Sequence, residues 1–541
     1  MQSTRYVECG FSFPDAQECH RSITNIRAKH IGIGVRGVTM GARLARRKMH
    51  IGILAAVLLA AACGTTVPAD QRVAAGRSLD GGTLDAADGL DGTTDTTLAA
   101  SASGGTAGLA GRRTTQAAAS TGGPTKQAGG LAPIAPGTHG VTDTTVEVGL
   151  MEFDPTESNA VNRATGGGDI NAEGAMSGRQ IDAEVVKYIN GHGGLGGRKV
   201  VPIYASQSVV QYATASGRQR QQQQACDTLT ADHHVFFLSG AGATEELMLD
   251  CAVRTKTPIM ANRIMTYPDE ARAASPYWYA PNGLTGEHRE RALANELLAQ
   301  GFFTPGAKVA LLIEDRPGIR NGVARGMKPV LQAAKVNIVQ EIVYPDFLAS
   351  PWDTYILNLR QAGVTHVVMS ATSGASQSAR SMMEAADGQK FEPRWGIASD
   401  NRPKDLFSQG APVPQLRRTQ GMGWSQSEDI TQDGVSSSSD ALCRQIVPKA
   451  EGENRRAQCE FLFFLKAVFD RMTVVSPEGF AQAAEAMGTG YVGLFTLNGF
   501  TRFGPGHHDG PENIQAFAFD PRCGEAAPCF RYVSPPHAMK R

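Results

Sequence analysis

The sequence has no excess of charge of either sign: 52 Lys and Arg stand against 52 Asp and Glu, a formal net charge of zero at pH 7. Nucleic-acid binding draws on a basic footprint that neutralises phosphates, so DNA and RNA are excluded as expected partners. A long apolar run is also missing. The stretch Ile51–Ala62 is the best candidate, and it falls short of the roughly 20 residues that cross a bilayer. Aromatic residues are scarce at 7%, and none lies between Cys63 and Phe153. The chain contains no G-x-S-x-G, no H-E-x-x-H and no G-K-[ST], so nucleophile, zinc and phosphate-loop signatures are missing and catalysis has no named residue. None of the nine cysteines forms a C-x-x-C pair, and His233-His234 and His507-His508 have no partner set, so no metal site is expected.

What is present begins at Arg43–Cys63, RLARRKMHIGILAAVLLAAAC. Cationic residues, an apolar run and small residues follow one another in the order of a secretory signal. Leu58-Leu59-Ala60-Ala61-Ala62-Cys63 resembles a bacterial lipobox, with Ala60 where that pattern more often has Leu. The resemblance implies cleavage before Cys63 and its acylation, and hence a lipid anchor; an ordinary signal with an incidental cysteine is the other reading. Residues 1–39 precede a normal signal and show no structure-forming period, so translation is expected to start at Met40 or Met49, with 40–62 the signal segment. Residues 63–142 are dominated by Ala, Gly, Thr, Ser and Pro. Such a segment cannot bury enough apolar surface to offset the entropy of ordering it, so it reads as a flexible tether.

The folded part is expected from Asp143 to Arg541, too long for one core. Short β-rich runs alternate with helical runs: Thr145–Met151, Lys199–Ala205, Val235–Leu238, Pro258–Met260, Lys308–Ile313, Asn337–Tyr344, Val364–Met369 and Arg394–Ala398 read as strands, separated by amphipathic helices. Repeated strand-then-helix order predicts an α/β fold with parallel sheets and right-handed crossovers. Two such series, starting at Thr145 and Lys308, predict two doubly wound lobes, 143–282 and 283–420, with 421–541 returning to the first lobe and crossing again. Ligands of such folds sit beyond the carboxyl ends of the strands, so two facing lobes form a cleft.

Asp182–Val201, DAEVVKYINGHGGLGGRKVV, is similar to the helix, glycine turn and strand of the leucine/isoleucine/valine-type solute-binding proteins of ABC transporters, which have the periplasmic binding protein fold of type I. The likeness continues through VFFLSGAGATEE and KTPIM, then KVALLIEDRPGIRNGVARGMKPVLQAAKVNIVQE and GVTHVVMSATSGASQSARSMMEAAD, and fades toward the C-terminus. It implies a hinged, cofactor-free monomer outside the cytoplasmic membrane that takes a small amino-acid-like solute and docks on an ABC permease. It also implies three crossings between lobes.

Gly191-His192-Gly193-Gly194-Leu195-Gly196 matches G-x-G-x-x-G but follows a helix and precedes a strand, the reverse of a dinucleotide site, so NAD and FAD are discarded and positive φ values are expected. Ser239-Gly240-Ala241-Gly242-Ala243-Thr244 joins a strand to a helix; free N–H groups and the Ser239 and Thr244 hydroxyls suit a carboxylate, and a plain capped βα loop would look alike. With the resemblance, the ligand carboxylate belongs here. Asn262 and Arg263 supply the second wall; Arg263 could clasp an acidic group or point to solvent. From the second lobe, Ser370 and Thr372 follow one strand and Asp400 another, and the resemblance implies an acidic residue closing on the ligand's ammonium, with Asp400 nearest, though an Asp in SDNRP is equally a turn former. Tyr279 could line the cleft near the hinge, whereas core packing suits Trp278. Apart from Cys9, Cys19 and Cys63, six cysteines remain, an even set that favours disulfides in an exported domain. The resemblance implies Cys226–Cys251, and proximity suggests Cys443–Cys459 and Cys523–Cys529. A sensor without transport, or an extracellular hydrolase on a similar scaffold, are the competing functions.

Overall fold

The computed structural model describes residues 131–540, apart from 165–175, 213, 241–245, 262–275, 346–349, 372–374, 431–436, 451 and 524–528. These residues belong to one compact unit within 114–541. The signal segment, Cys63 and most of the tether lie outside the described residues.

Five strands form the sheet of lobe 1: β1 Thr145–Phe153, β2 Lys199–Gln207, β3 Phe237–Gly240, β4 Ile259–Met260 and β5 Trp278–Tyr279, in the order β2-β1-β3-β4-β5 and parallel throughout. Lobe 2 is built on β6 Val309–Glu314, β7 Ile338–Tyr344, β8 His366–Ser370, β9 Arg394–Ala398 and β10 Thr419–Gly423, which run parallel. To these, β11 Asn513–Asp520 and β12 Cys529–Tyr532 add antiparallel, giving β12-β11-β10-β9-β8-β6-β7, and the short β13 His537–Ala538 pairs with β11. The sequence explains the placements. VALLIE of β6 is apolar along its length up to Glu314 and is buried at every position, as a central parallel strand covered on both faces must be. IVQEIVY of β7 leaves Val339, Glu341 and Val343 exposed, as an edge strand can.

The glycine turn lies between the helix Gly178–Gly191 and β2, with Gly193, Gly194, Gly196 and Gly197 all at positive φ. At Gly194 a Cβ would come within 2.1 Å of the Arg198 carbonyl oxygen, so no other residue fits without moving the backbone.

The chain passes between the lobes three times. After β5, residues 280–285 lead to the helix Gly286–Ala299, whose apolar residues join the core against β6 and β8. After β10, the chain returns to lobe 1, where residues of the helices Ser438–Ile446, Gly452–Phe469 and Pro477–Glu485 share a core with Val146, Val148 and Leu150 of β1. It then re-enters lobe 2 as β11. The passages touch one another: Ala280 bridges Asp509, and the Trp424 indole donates to the Asn282 carbonyl at 3.2 Å. Disulfides join Cys226 to Cys251, Cys443 to Cys459 and Cys523 to Cys529.

The tether reading needs one correction. Residues 131–142, which composition assigns to the linker, are strapped across lobe 1. Ile134 forms a bridge with Val475, and Ala135 N–H donates to the Val475 carbonyl at 3.0 Å. The guanidinium of Arg198, only 2% exposed, donates from Nη2 to the Ala132 carbonyl and from Nε to the Thr142 carbonyl, both at 2.8 Å. A backbone carbonyl carries no trace of such a partner in the composition of its own segment.

Candidate functional site

In both sheets the parallel strands bring their carboxyl ends to one edge, and the loops that leave this edge hold the sequence candidates. In lobe 1, β3 ends in Ser239 and Gly240. Ser239 is fully buried and its Oγ donates to the Met260 carbonyl at 3.3 Å, tying the end of β3 to the end of β4. Gly240 has φ +107°, and a Cβ there would meet the Met151 carbonyl oxygen at 2.1 Å, so the sharp exit from β3 requires glycine. Ala241, Gly242, Thr244, Asn262, Arg263 and Thr372 lie outside the described residues. Tyr279 sits in the lobe 1 core: its ring stacks on His508 at 4.5 Å and its hydroxyl donates to the Ala481 carbonyl at 3.2 Å.

Lobe 2 carries a polar side chain at or just after the carboxyl end of four consecutive strands: Glu314 on β6, Tyr344 on β7, Ser370 on β8 and Asp400 in the turn after β9. All four are buried. The centre of this layer is Arg289, from the first turns of the helix Gly286–Ala299. Its guanidinium reaches Asp400 with Nη1 and Glu290 with Nη2, and Nη1 also donates to the Ala371 carbonyl at 3.3 Å. The Ser370 hydroxyl donates to the second oxygen of Glu290 at 2.8 Å. Alongside, Glu314 pairs with Arg316 at 2.6 Å. Burial alone would lower the Arg289 guanidinium, but Asp400 and Glu290 together hold it above its usual range. The carboxyl of Asp400 is pushed up to about 6, because burial and the neighbouring Glu290 outweigh the attraction of Arg289. The two directions agree once the stoichiometry is counted, since two carboxylates share one guanidinium.

A second polar cluster occupies the carboxyl edge of lobe 1 at the edge strand β2 and its neighbour β1. Asp182, 2% exposed, lies beside Glu152 of β1, Tyr204 of β2 and Arg179 of its own helix. Arg179 bonds Glu152 at 2.5 Å and covers the Tyr204 ring at 4.6 Å. Burial, followed by the charge of Glu152, raises the Asp182 carboxyl to about 8.

Sequence reading missed Arg289, Glu290 and Asp182. The first two stand in EHRERALANELL, which reads as an ordinary surface helix, yet Glu287, His288, Arg289 and Glu290 are all buried. The one trace is charge on every face of a first turn, which a half-exposed helix does not need. A cavity of about 260 Å³ opens elsewhere, lined by Gly137, His139, His234, Lys256 and Glu478 among others. It lies at the amino edge of lobe 1, beside the residues that precede β3 and β4, and so away from the strand ends described above. Among the described residues no group of His, Cys, Asp and Glu could hold a metal ion, and no helix is long and apolar enough to cross a membrane.

No family model and no curated protein matches this chain. Solved structures do. A solute-binding protein of an ABC transporter from R. palustris, in complex with 4-hydroxybenzoate, superposes with a TM-score of 0.52 at 12% identity, covering 73% of this chain and 98% of that one. A branched-chain amino acid ABC transporter protein from Thermus thermophilus with bound valine gives 0.53 at 14%, covering 73% and 96%. The fatty acid ABC transporter substrate-binding protein from Thermomonospora curvata gives 0.51 at 13%, covering 74% and 95%. The chain has the periplasmic binding protein fold of type I. At these identities the likeness is one of architecture: two lobes, three passages, and loops at the strand ends free to differ. The polar layer around Arg289 lies at the carboxyl ends of the lobe 2 strands and the Asp182 cluster at those of the lobe 1 strands.

Proposed function

We propose that the protein captures a small polar or amino-acid-like solute outside the cytoplasmic membrane and delivers it to an ABC importer, held to the outer face of that membrane by a lipid on Cys63. The observation that carries this reading is the pair of parallel-sheet lobes joined by three adjacent passages, a hinge that can close around a guest. Near-complete coverage of solute-binding structures supports it. Lobe 1 would receive the anionic end of the solute through Ser239, Gly240, Ala241, Gly242 and Thr244, with Asn262 and Arg263 as the second wall. Lobe 2 would complete the cage through Ser370, Thr372 and Asp400, and Tyr279 would brace the hinge side. Closure would hide the guest from water, and the permease would recognise the closed form, which only ligand makes the favoured population. The protein would act as a monomer and without catalysis or cofactor.

Thermal denaturation across amino acids, amides, short peptides and organic acids tests the reading. A solute at 100 times its Kd adds about 2.7 kcal/mol to stability, so at least one class is expected to raise the melting temperature, and Thr244→Ala to reduce the rise. A melt unmoved by every class would remove the solute-binding reading.

A further inference from the structure

We infer that the hinge is spring-loaded: Asn282, Thr285, Ser425 and Thr496 sit in the seam between the three passages with polar side-chain atoms left unpaired, and their combined penalty biases the passages toward opening. The inference concerns the hinge whatever its guest, and no solute enters its test.

The backbone brings the four residues together. Asn282 and Thr285 lie on the first passage, Ser425 begins the second, and Thr496 lies in the stretch that leads to the third. The Trp424 indole donates to the Asn282 carbonyl at 3.2 Å, Ser425 bridges Thr496, and the Leu497 N–H donates to the Trp424 carbonyl at 3.2 Å. The Thr285 N–H reaches the Asp509 carboxylate of the third passage at 3.4 Å. Main-chain groups are thus paired across the seam. The side chains are not. All four residues are at most 1% exposed, yet both amide atoms of Asn282 and the hydroxyl oxygens of Thr285, Ser425 and Thr496 have no hydrogen-bond partner among the described residues.

The positions of the three hydroxyls sharpen the point. Thr285, Ser425 and Thr496 each stand immediately before a helical turn, where a Ser or Thr hydroxyl ordinarily accepts from an N–H of the first turn, and none of them makes that bond. A buried donor or acceptor left unmade costs more than a typical buried hydrogen bond returns, because its contact with water is given up and nothing replaces it. Five such atoms in one seam form a reservoir of strain at the place where the fold has to bend. A change in the passages that admits water, or that turns the hydroxyls onto the N–H groups beside them, releases it. The arrangement of the passages seen here is therefore held against a bias, and a bound guest or a contact between the lobes that favours it works against the same spring.

Hydrogen–deuterium exchange of the full chain reads this bias at the amides of Ala280, Leu497 and Gly510, which donate to the carbonyls of His508, Trp424 and Ala280 from one passage to another. Valine has nearly the shape of threonine, so Thr285→Val combined with Thr496→Val removes two unpaired hydroxyls and keeps their volume. The expected result is exchange slowed about fivefold or more at these amides, since opening no longer recovers the lost pairing. Thr496→Ser keeps its hydroxyl and is expected to exchange at least as fast as the wild type. Unchanged or faster exchange in the valine variant overturns the inference, faster exchange showing that internal water holds the hydroxyls. Slowed exchange in Thr496→Ser overturns it as well, because the hydroxyl would then not be the cause. Should the valine variant fail to fold, Ser425→Ala is read in the same way: slower exchange at Leu497 supports the spring, and equal or faster exchange overturns it.

Discussion

Replacing Arg289 by methionine lowers the stability of the protein by about 3–5 kcal/mol, the cost of removing one partner from a buried ionic group. The reason is visible in the stoichiometry. Asp400 and Glu290 are 4% and 0% exposed and both depend on this guanidinium, so the variant leaves two buried carboxylates facing each other. Asp400 is already raised to about 6 by burial and by Glu290, and the variant removes the guanidinium that opposes this shift. Its folded-state pKa then rises further above the unfolded value, which makes the variant most stable at low pH and progressively less stable as pH increases through the folded value. Chemical denaturation at pH 5 and pH 8 should therefore show a smaller deficit at pH 5. Adding Asp400→Asn to Arg289→Met removes one of the two charges and is expected to recover part of the loss at pH 8. A deficit below about 1 kcal/mol at pH 8 would mean that the cluster is hydrated and that the lobe 2 layer is not the closed network described here.

Asp182→Asn has the opposite sign. The Asp182 carboxyl is raised to about 8 by burial and by Glu152, so the wild-type protein keeps it protonated near neutrality. A group raised in the folded state contributes fully below its unfolded value, and that contribution is lost as pH climbs through the folded value. The window runs from about pH 4 to pH 8, and the shift bounds the loss at about 6 kcal/mol. Asparagine is nearly isosteric with the protonated acid and does not titrate. The variant is expected to match the wild type near pH 4 and to exceed it at pH 8 by several degrees in melting temperature. Parallel melting curves at both pH values would show that Asp182 is ionised in the folded protein, held by Arg179 and by Tyr204, the groups that oppose its burial.

The fold was legible where residues speak for their own surroundings. The apolar runs of β6 and β8 announce central parallel strands, and GHGGLGG announces a turn that only glycine can make. The C-terminal third is quieter. In TQGMG of β10, two glycines argue for a loop, yet Gly421 lies so close to β9 that a Cβ would come within 1.9 Å of the Ile397 carbonyl oxygen. That closeness belongs to the packed sheet and leaves no periodicity to read. NIQAFAFD of β11 alternates correctly, but its place at the end of a parallel sheet, after an excursion through lobe 1, follows from topology alone.

The site divides in the same way. Ser239, Ser370 and Asp400 could be named because they follow strands, and strand ends are where such folds bind. What those side chains do could not be read. The partner that fixes Asp400 lies 111 residues earlier in the chain, and the one that engages Ser370 lies 80 residues earlier. Both belong to a helix that resembles any solvent-facing one. Contacts of that range are set by the packing of the helix on the sheet, and a single sequence carries no signal of them.

The account depends most on two lobes that close on a solute. Small-angle X-ray scattering of the full chain, alone and with whichever compound of the panel raises its melting temperature most, measures that closure directly. The account predicts a smaller radius of gyration and a narrower distribution of interatomic distances in the presence of the solute. Scattering profiles that coincide while calorimetry shows the compound bound would contradict it, since the guest would then be held without any movement of the hinge.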